Sequence, residues 1–146
     1  MKTPLENLLS LKRWEEDEAK NLVAWARKDL DLEEKRLAGL EENFNSLREK
    51  MQCPPKGVVT IDEIKQINEH MEHLFGLLQR QKDAIVASEK RLSEAMNILA
   101  EAAMKRKTYE VVDERHKEAE RHDLNQKEQK GIDEHAVMRY KKHYSE

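Results

Sequence analysis

The chain has 146 residues, of which 39% are charged, 38% hydrophobic and 5% aromatic, with four Gly and three Pro. One domain is expected, without a thick core; this composition suits long helices zipped along a thin apolar seam. The net charge of −3 is of mixed sign with no dense basic block, which excludes nucleic acid as the main partner.

Regular apolar spacing among the charges also sets disorder aside, except at the C-terminus. The single Cys53 cannot form an internal disulfide and fits a reducing compartment. The opening residues lack the basic and then apolar order of a signal peptide, and no stretch approaches the roughly 20 apolar residues of a membrane span. A soluble, cytoplasmic, all-α protein is expected.

The first helix is predicted over about 4–51. Thr3 caps it, Pro4 suits its first turn, and Glu6 returns the capping-box bond. One heptad series reads Leu9, Glu16, Val23, Leu30, Leu37, Phe44 and Met51; its companion reads Leu5, Lys12, Ala19, Ala26, Glu33, Leu40 and Leu47. The polar members Lys12, Glu16 and Glu33 fall in the first two-thirds, so looser packing is expected there. A turn is predicted over 52–60, where Pro54 and Pro55 cannot continue a helical ladder.

Thr60 and Glu63 form a second capping box, and a second helix is predicted over about 61–140. Ile64, Met71, Leu78, Ile85, Leu92 and Leu99 recur every seven positions. Ile67, Leu74, Gln81, Ser88, Ala95, Ala102 and Tyr109 follow three residues on. These two series make the narrow stripe of a coiled coil. The expected fold is therefore a long two-helix antiparallel coiled-coil hairpin with an overhanging C-terminal helix, one elongated domain over 1–146. Pairing Met51 with Thr60 places Leu9 opposite Ala102 and Leu5 near Arg106. The seam is then expected to stop at Tyr109, with the overhang starting at about 108. Lys105 to Lys130 carries 15 charged residues in 26, a solvated helix that Gly131 ends or bends. Beyond it Ile132, Ala136, Val137 and Tyr140 share a face suited to docking on another protein or back on this one.

Chemistry-bearing clusters are few. His70 and His73 lie one turn apart beside Glu69 and Glu72, but nothing in the sequence supplies the further ligands a metal needs. His116 and His122 belong to the charged run. Cys53 has no adjoining His or cationic cluster to activate it. There is no phosphate loop and no nucleophile motif. No catalytic, cofactor-binding or metal residue is assigned, no cofactor or small-molecule substrate is expected, and the protein is read as a non-enzyme. Apolar residues off the seam carry more: Leu8, Leu11, Trp14, Leu22, Trp25 and Leu32 in the first helix, Phe75 and Leu77 in the second. They wrap the seam edges, or are covered by the tail folding back over the first helix as a third helix, or present a partner surface.

Three stretches resemble the FliJ family of flagellar export proteins and its type III secretion relatives. They are Leu5-Glu6-Asn7-Leu8-Leu9-Ser10-Leu11-Lys12, Lys105-Arg106-Lys107-Thr108-Tyr109-Glu110-Val111-Val112-Asp113-Glu114-Arg115, and Ile132-Asp133-Glu134-His135-Ala136-Val137-Met138-Arg139. The last is similar to the family's Asp-Glu-x-x-x-x-Arg ending. Family members usually carry Leu at the positions of Tyr109 and Val112.

The resemblance implies a stalk that inserts into the hexameric flagellar export ATPase, promotes its assembly and couples it to the cytoplasmic domain of the membrane export gate. It also implies dealings with export chaperones, and a cytoplasmic location peripheral to the inner-membrane apparatus. Carried onto this chain, ring contacts would fall on Arg106, Lys107, Tyr109, Arg115, Asp133, Glu134 and Arg139. Gate or partner contacts would fall on Met71, Phe75, Leu77, Trp14 and Trp25. A monomer or weak self-association is expected. The competing reading is a free-standing coiled-coil adaptor or chaperone that binds substrates without acting on an ATPase.

Overall fold

A computed structural model describes residues 3–52 and 60–144. Two helices account for nearly all of them, α1 (Pro4–Gln52) and α2 (Ile61–Tyr144), packed against each other. No strand occurs among the described residues. The expected turn, with Cys53, Pro54 and Pro55, lies outside them except for its flanking residues Gln52 and Thr60.

Both helices start where side chains satisfy orphan backbone donors. Thr3 Oγ1 accepts the Glu6 amide at 3.2 Å, and the Glu6 carboxylate accepts the Thr3 amide at 3.1 Å, a reciprocal capping box. Pro4 opens α1, where its missing N–H costs nothing. At α2 the Glu63 amide donates to Thr60 Oγ1 at 3.3 Å, and Asp62 and Glu63 favour the positive end of the helix dipole. The helix then runs through Gly131 and does not end there.

The contacts divide the chain into two compact units. Unit one is Met1–Glu16 with Ala102–Glu146; unit two is Asp17–Glu101.

In unit two the helices run antiparallel, with Leu47 beside Ile67 and Ala26 beside Ala95. Its buried residues are Ala19 and Val23 from α1, and Leu74, Leu78, Ser88 and Ala95 from α2, every one on a predicted heptad position. The remaining heptad residues here are half-buried, except that Ile64 and Met51 are exposed. Gln81 Nε2 donates to the Glu33 backbone oxygen at 2.8 Å and to the Glu33 carboxylate, so two polar seam members answer one another. Ser88, only 1% exposed, occupies a position with no room for a larger side chain.

In unit one Leu9 is buried on α1, and the polar seam members again meet partners. Arg106 donates to Glu16 and, at 2.9 Å, to Glu110, while Arg13 reaches Glu110 at 3.4 Å. The Lys12 ammonium stands 5.6 Å from the centre of the Tyr109 ring. Leu9 lines a small depression with Asp113 and Lys117, not with Ala102 as the turn-anchored register requires. Heptad spacing is satisfied by several registers; the buried polar residues accept only the one that pairs them.

Two further expectations change with that register. The seam does not stop at Tyr109, because Asp113 is 7% exposed and bonded to Lys117 at 3.1 Å. The uncovered stretch begins at Glu114 rather than at about 108, and every described residue from there to His143 is exposed. Nor does the end carrying Lys12 and Glu16 pack loosely. Leu9, Ala19 and Val23 are the buried apolar residues of α1, whereas Leu30 through Leu47 are only half-buried on the seam. Partnered polar groups do not hold the helices apart, and the small Ala19 lets them close.

The seam makes graded stability predictions for urea unfolding followed by circular dichroism. Leu74→Ala should cost about 2 kcal/mol, near the lower end for cavity-forming substitutions because a single layer encloses it. Ser88→Leu should cost about 1–3 kcal/mol through overpacking. Leu32→Ala, on an exposed position, should stay within about 0.5 kcal/mol.

Candidate partner-contact surfaces

No group of three or more His, Cys, Asp or Glu side chains among the described residues could hold a metal ion. None of the described helices is long and apolar enough to cross a membrane. What the two units offer is surface, and it differs between them.

In unit one the seven residues expected at a ring contact fall into two groups. Arg106 and Tyr109 are part of the seam. The Arg106 side chain is 23% exposed, gripped by Glu16 and Glu110, and Tyr109 is half-buried beneath Lys12. The hydrogen bond that Arg106 donates to Glu16 does most to hold the Arg106 pKa above its ordinary value; the negative charge of Glu110 adds to it. The raised value means the guanidinium's contribution is fully present at neutral pH and is lost only in strong alkali.

Lys107, Arg115, Asp133, Glu134 and Arg139 are exposed on α2. Asp133 accepts a 3.3 Å hydrogen bond from Gln129 one turn earlier. The 30 residues from Glu114 to His143 carry eight Lys or Arg against seven Asp or Glu, so no single sign dominates. Pairs such as His116 with Glu120 at 3.6 Å link successive turns.

In unit two Met71 lies half-buried on the seam and Leu77 half-buried beside it, which leaves Phe75 as the exposed member of that trio. Trp25 is 72% exposed and borders a shallow groove with Leu22 and Ile98. Trp14, in unit one, is also exposed, as are Leu8 and Leu11. Packing against the seam edges therefore does not cover these residues. The Arg13–Glu110 pair and the Glu16–Arg106 pair were not anticipated from sequence. The available signal was that Glu16 and Arg106 break their heptad series with opposite charges.

Among the described residues, two long helices meet in seams with paired polar groups and leave apolar and mixed-charge faces exposed. A family model described as "Flagellar FliJ protein" matches residues 1–145. The chain belongs to the FliJ family, which associates it with type III protein export. The fold is similar to a solved structure described as a YscO homologue, CT670, from Chlamydia trachomatis, at 22% identity and a TM-score of 0.75. That likeness covers 100% of this chain and 99% of the other. No curated protein sequence matches.

The polar pair in unit one predicts a reversal. Glu16→Leu alone should lower the thermal midpoint by several degrees, because it removes one of the two carboxylates that hold Arg106. Glu16→Leu with Arg106→Leu should return it to the starting value or above, since an apolar pair needs no desolvation of charge. Circular dichroism melts of the four chains in the cycle check this.

Proposed function

We propose that this protein is a non-enzymatic stalk of the flagellar export apparatus. It inserts into the hexameric export ATPase, promotes assembly and activity of the ring, and couples it to the cytoplasmic domain of the membrane export gate. It works in the cytoplasm, peripheral to the inner membrane.

The observation that carries this reading is the run from Glu114 to His143, helical throughout and exposed at every residue. A single helix of nearly balanced charge suits the pore of a ring. Each exposed ion pair it makes contributes only ~0–1 kcal/mol, so contacts with successive subunits stay weak and exchangeable. Lys107, Arg115, Asp133, Glu134 and Arg139 are the residues assigned to the ring. Arg106 and Tyr109 act one step back, by holding the start of this run against α1. Phe75, with Leu77 and Met71 beneath it, is assigned to the gate.

A second reading rests on Trp14 and Trp25. Their exposure favours an adaptor that binds export chaperones or substrates directly, without acting on an ATPase.

The deciding measurement is the rate of the cognate export ATPase with and without the chain, alongside sizing of its oligomer. Stimulation with hexamer formation is expected. Arg115→Glu combined with Arg139→Glu should weaken that stimulation several-fold while helicity stays unchanged. Full stimulation by this variant would remove both residues from the ring contact, and no stimulation by the native chain would favour the adaptor.

A further inference from the structure

The two flanks of the seam in unit two are unlike. Along α1 one flank carries Lys20, Arg27, Glu34, Glu41 and Arg48, all charged and exposed. The other carries Leu22, Trp25 and Leu32, also exposed. From α2, Ala95 and Ile98 come alongside Leu22 and Trp25, and together they line an open groove of about 310 Å³.

The rim of this groove carries two carboxylates, one from each helix, and one cation. Asp29 and Glu94 border it together with Arg91. Arg91 donates to Ser88 Oγ at 2.9 Å, which draws its charge toward the seam. One heptad from Trp25 lies Glu18 and one heptad from Glu94 lies Glu101, both exposed, so the carboxylates continue along both helices. An apolar floor between two helices with carboxylates along its borders has a definite complement.

We infer that this groove takes one amphipathic helix of another protein, with apolar residues at i, i+3 and i+7 and Lys or Arg on both borders of that face. A third helix laid between two others buries its apolar stripe on the floor, with Trp25 and Leu22 as anchors. Its cations then meet the carboxylates of the rim, which sets orientation and rejects acidic helices. From Leu22 to Asp29 the groove spans roughly 10 Å at ~1.5 Å per residue, enough for about two turns of the incoming helix. The inference deepens the assignment of Trp25 as a partner contact. It is independent of the ATPase reading, since all of these residues belong to unit two.

The test uses the full chain with Trp14→Phe, which leaves Trp25 as the only tryptophan. It is titrated with a peptide of three Lys-Leu-Ala-Ala-Leu-Lys-Lys heptads, and separately with the same peptide carrying Glu for every Lys. The expected result is a saturable blue shift of Trp25 emission, with the Lys peptide bound about tenfold tighter or more, worth roughly 1.4 kcal/mol. Asp29→Lys with Glu94→Lys should invert that preference, and Trp25→Ala, read by calorimetry, should weaken binding at least about tenfold with helicity unchanged. Failure of both peptides to bind, equal binding of the two, or full binding by Trp25→Ala overturns the inference. So does a Trp25-dependent dimer of the native chain in sedimentation velocity, which would give the groove to a second copy. ATPase stimulation is not a readout here, so failure of the stalk reading and failure of this one remain distinguishable.

Discussion

Apolar heptads hold two helices together but do not say where each should stop sliding. A Leu opposite the next Leu along is nearly as well covered, so the apolar seam alone leaves several registers close in energy. A charged seam residue is different, because stranding it unpaired in a partly dry layer costs several kcal/mol. Glu16 with Arg106 therefore fixes the pairing locally in unit one, and Glu33 with Gln81 fixes it locally in unit two. In unit one that pairing goes with Asp113 as the last covered residue and Glu114 as the first of the exposed run.

A seam one layer thick also limits what can be hidden. Buried apolar residues are few and small or branched, Leu9, Ala19, Val23, Leu74, Leu78 and Ala95. The larger Trp14, Trp25 and Phe75 stay at the surface because there is no second layer to receive them. In an ordinary globule such exposure would be a liability. The proposed partner contacts rest on that exposure. The same thinness explains the C-terminal run of α2, where only contacts between successive turns, each worth ~0.2–0.5 kcal/mol, support the helix. Such a segment opens easily and adapts to whatever surrounds it.

The two surfaces divide the work by chemistry. Unit one ends in a helix of balanced charge, fitted to weak and repeated contacts. Unit two carries an apolar groove edged by carboxylates, fitted to one longer-lived partner of opposite sign. The proposed ATPase contact and the proposed helix-binding groove therefore rest on different parts of the chain.

Much of this was legible from the residues alone. Thr3, Glu6 and Thr60 announced the helix starts, and the heptads announced most of the positions that are buried or half-buried. These signals are local, or repeat with the helix, and need no knowledge of the partner strand of the pair. The polar exceptions misled for the same reason: read one helix at a time, Lys12, Glu16 and Glu33 look like defects. Sequence by itself determined the class, the two helices and their buried faces, because periodicity is a property of a single helix. The register, the burial of Arg106, Tyr109 and Asp113, and the groove joining Trp25 to Ile98 were decided only by tertiary structure. Each depends on which residue of α1 stands beside which residue of α2, and a seven-residue repeat is blind to that.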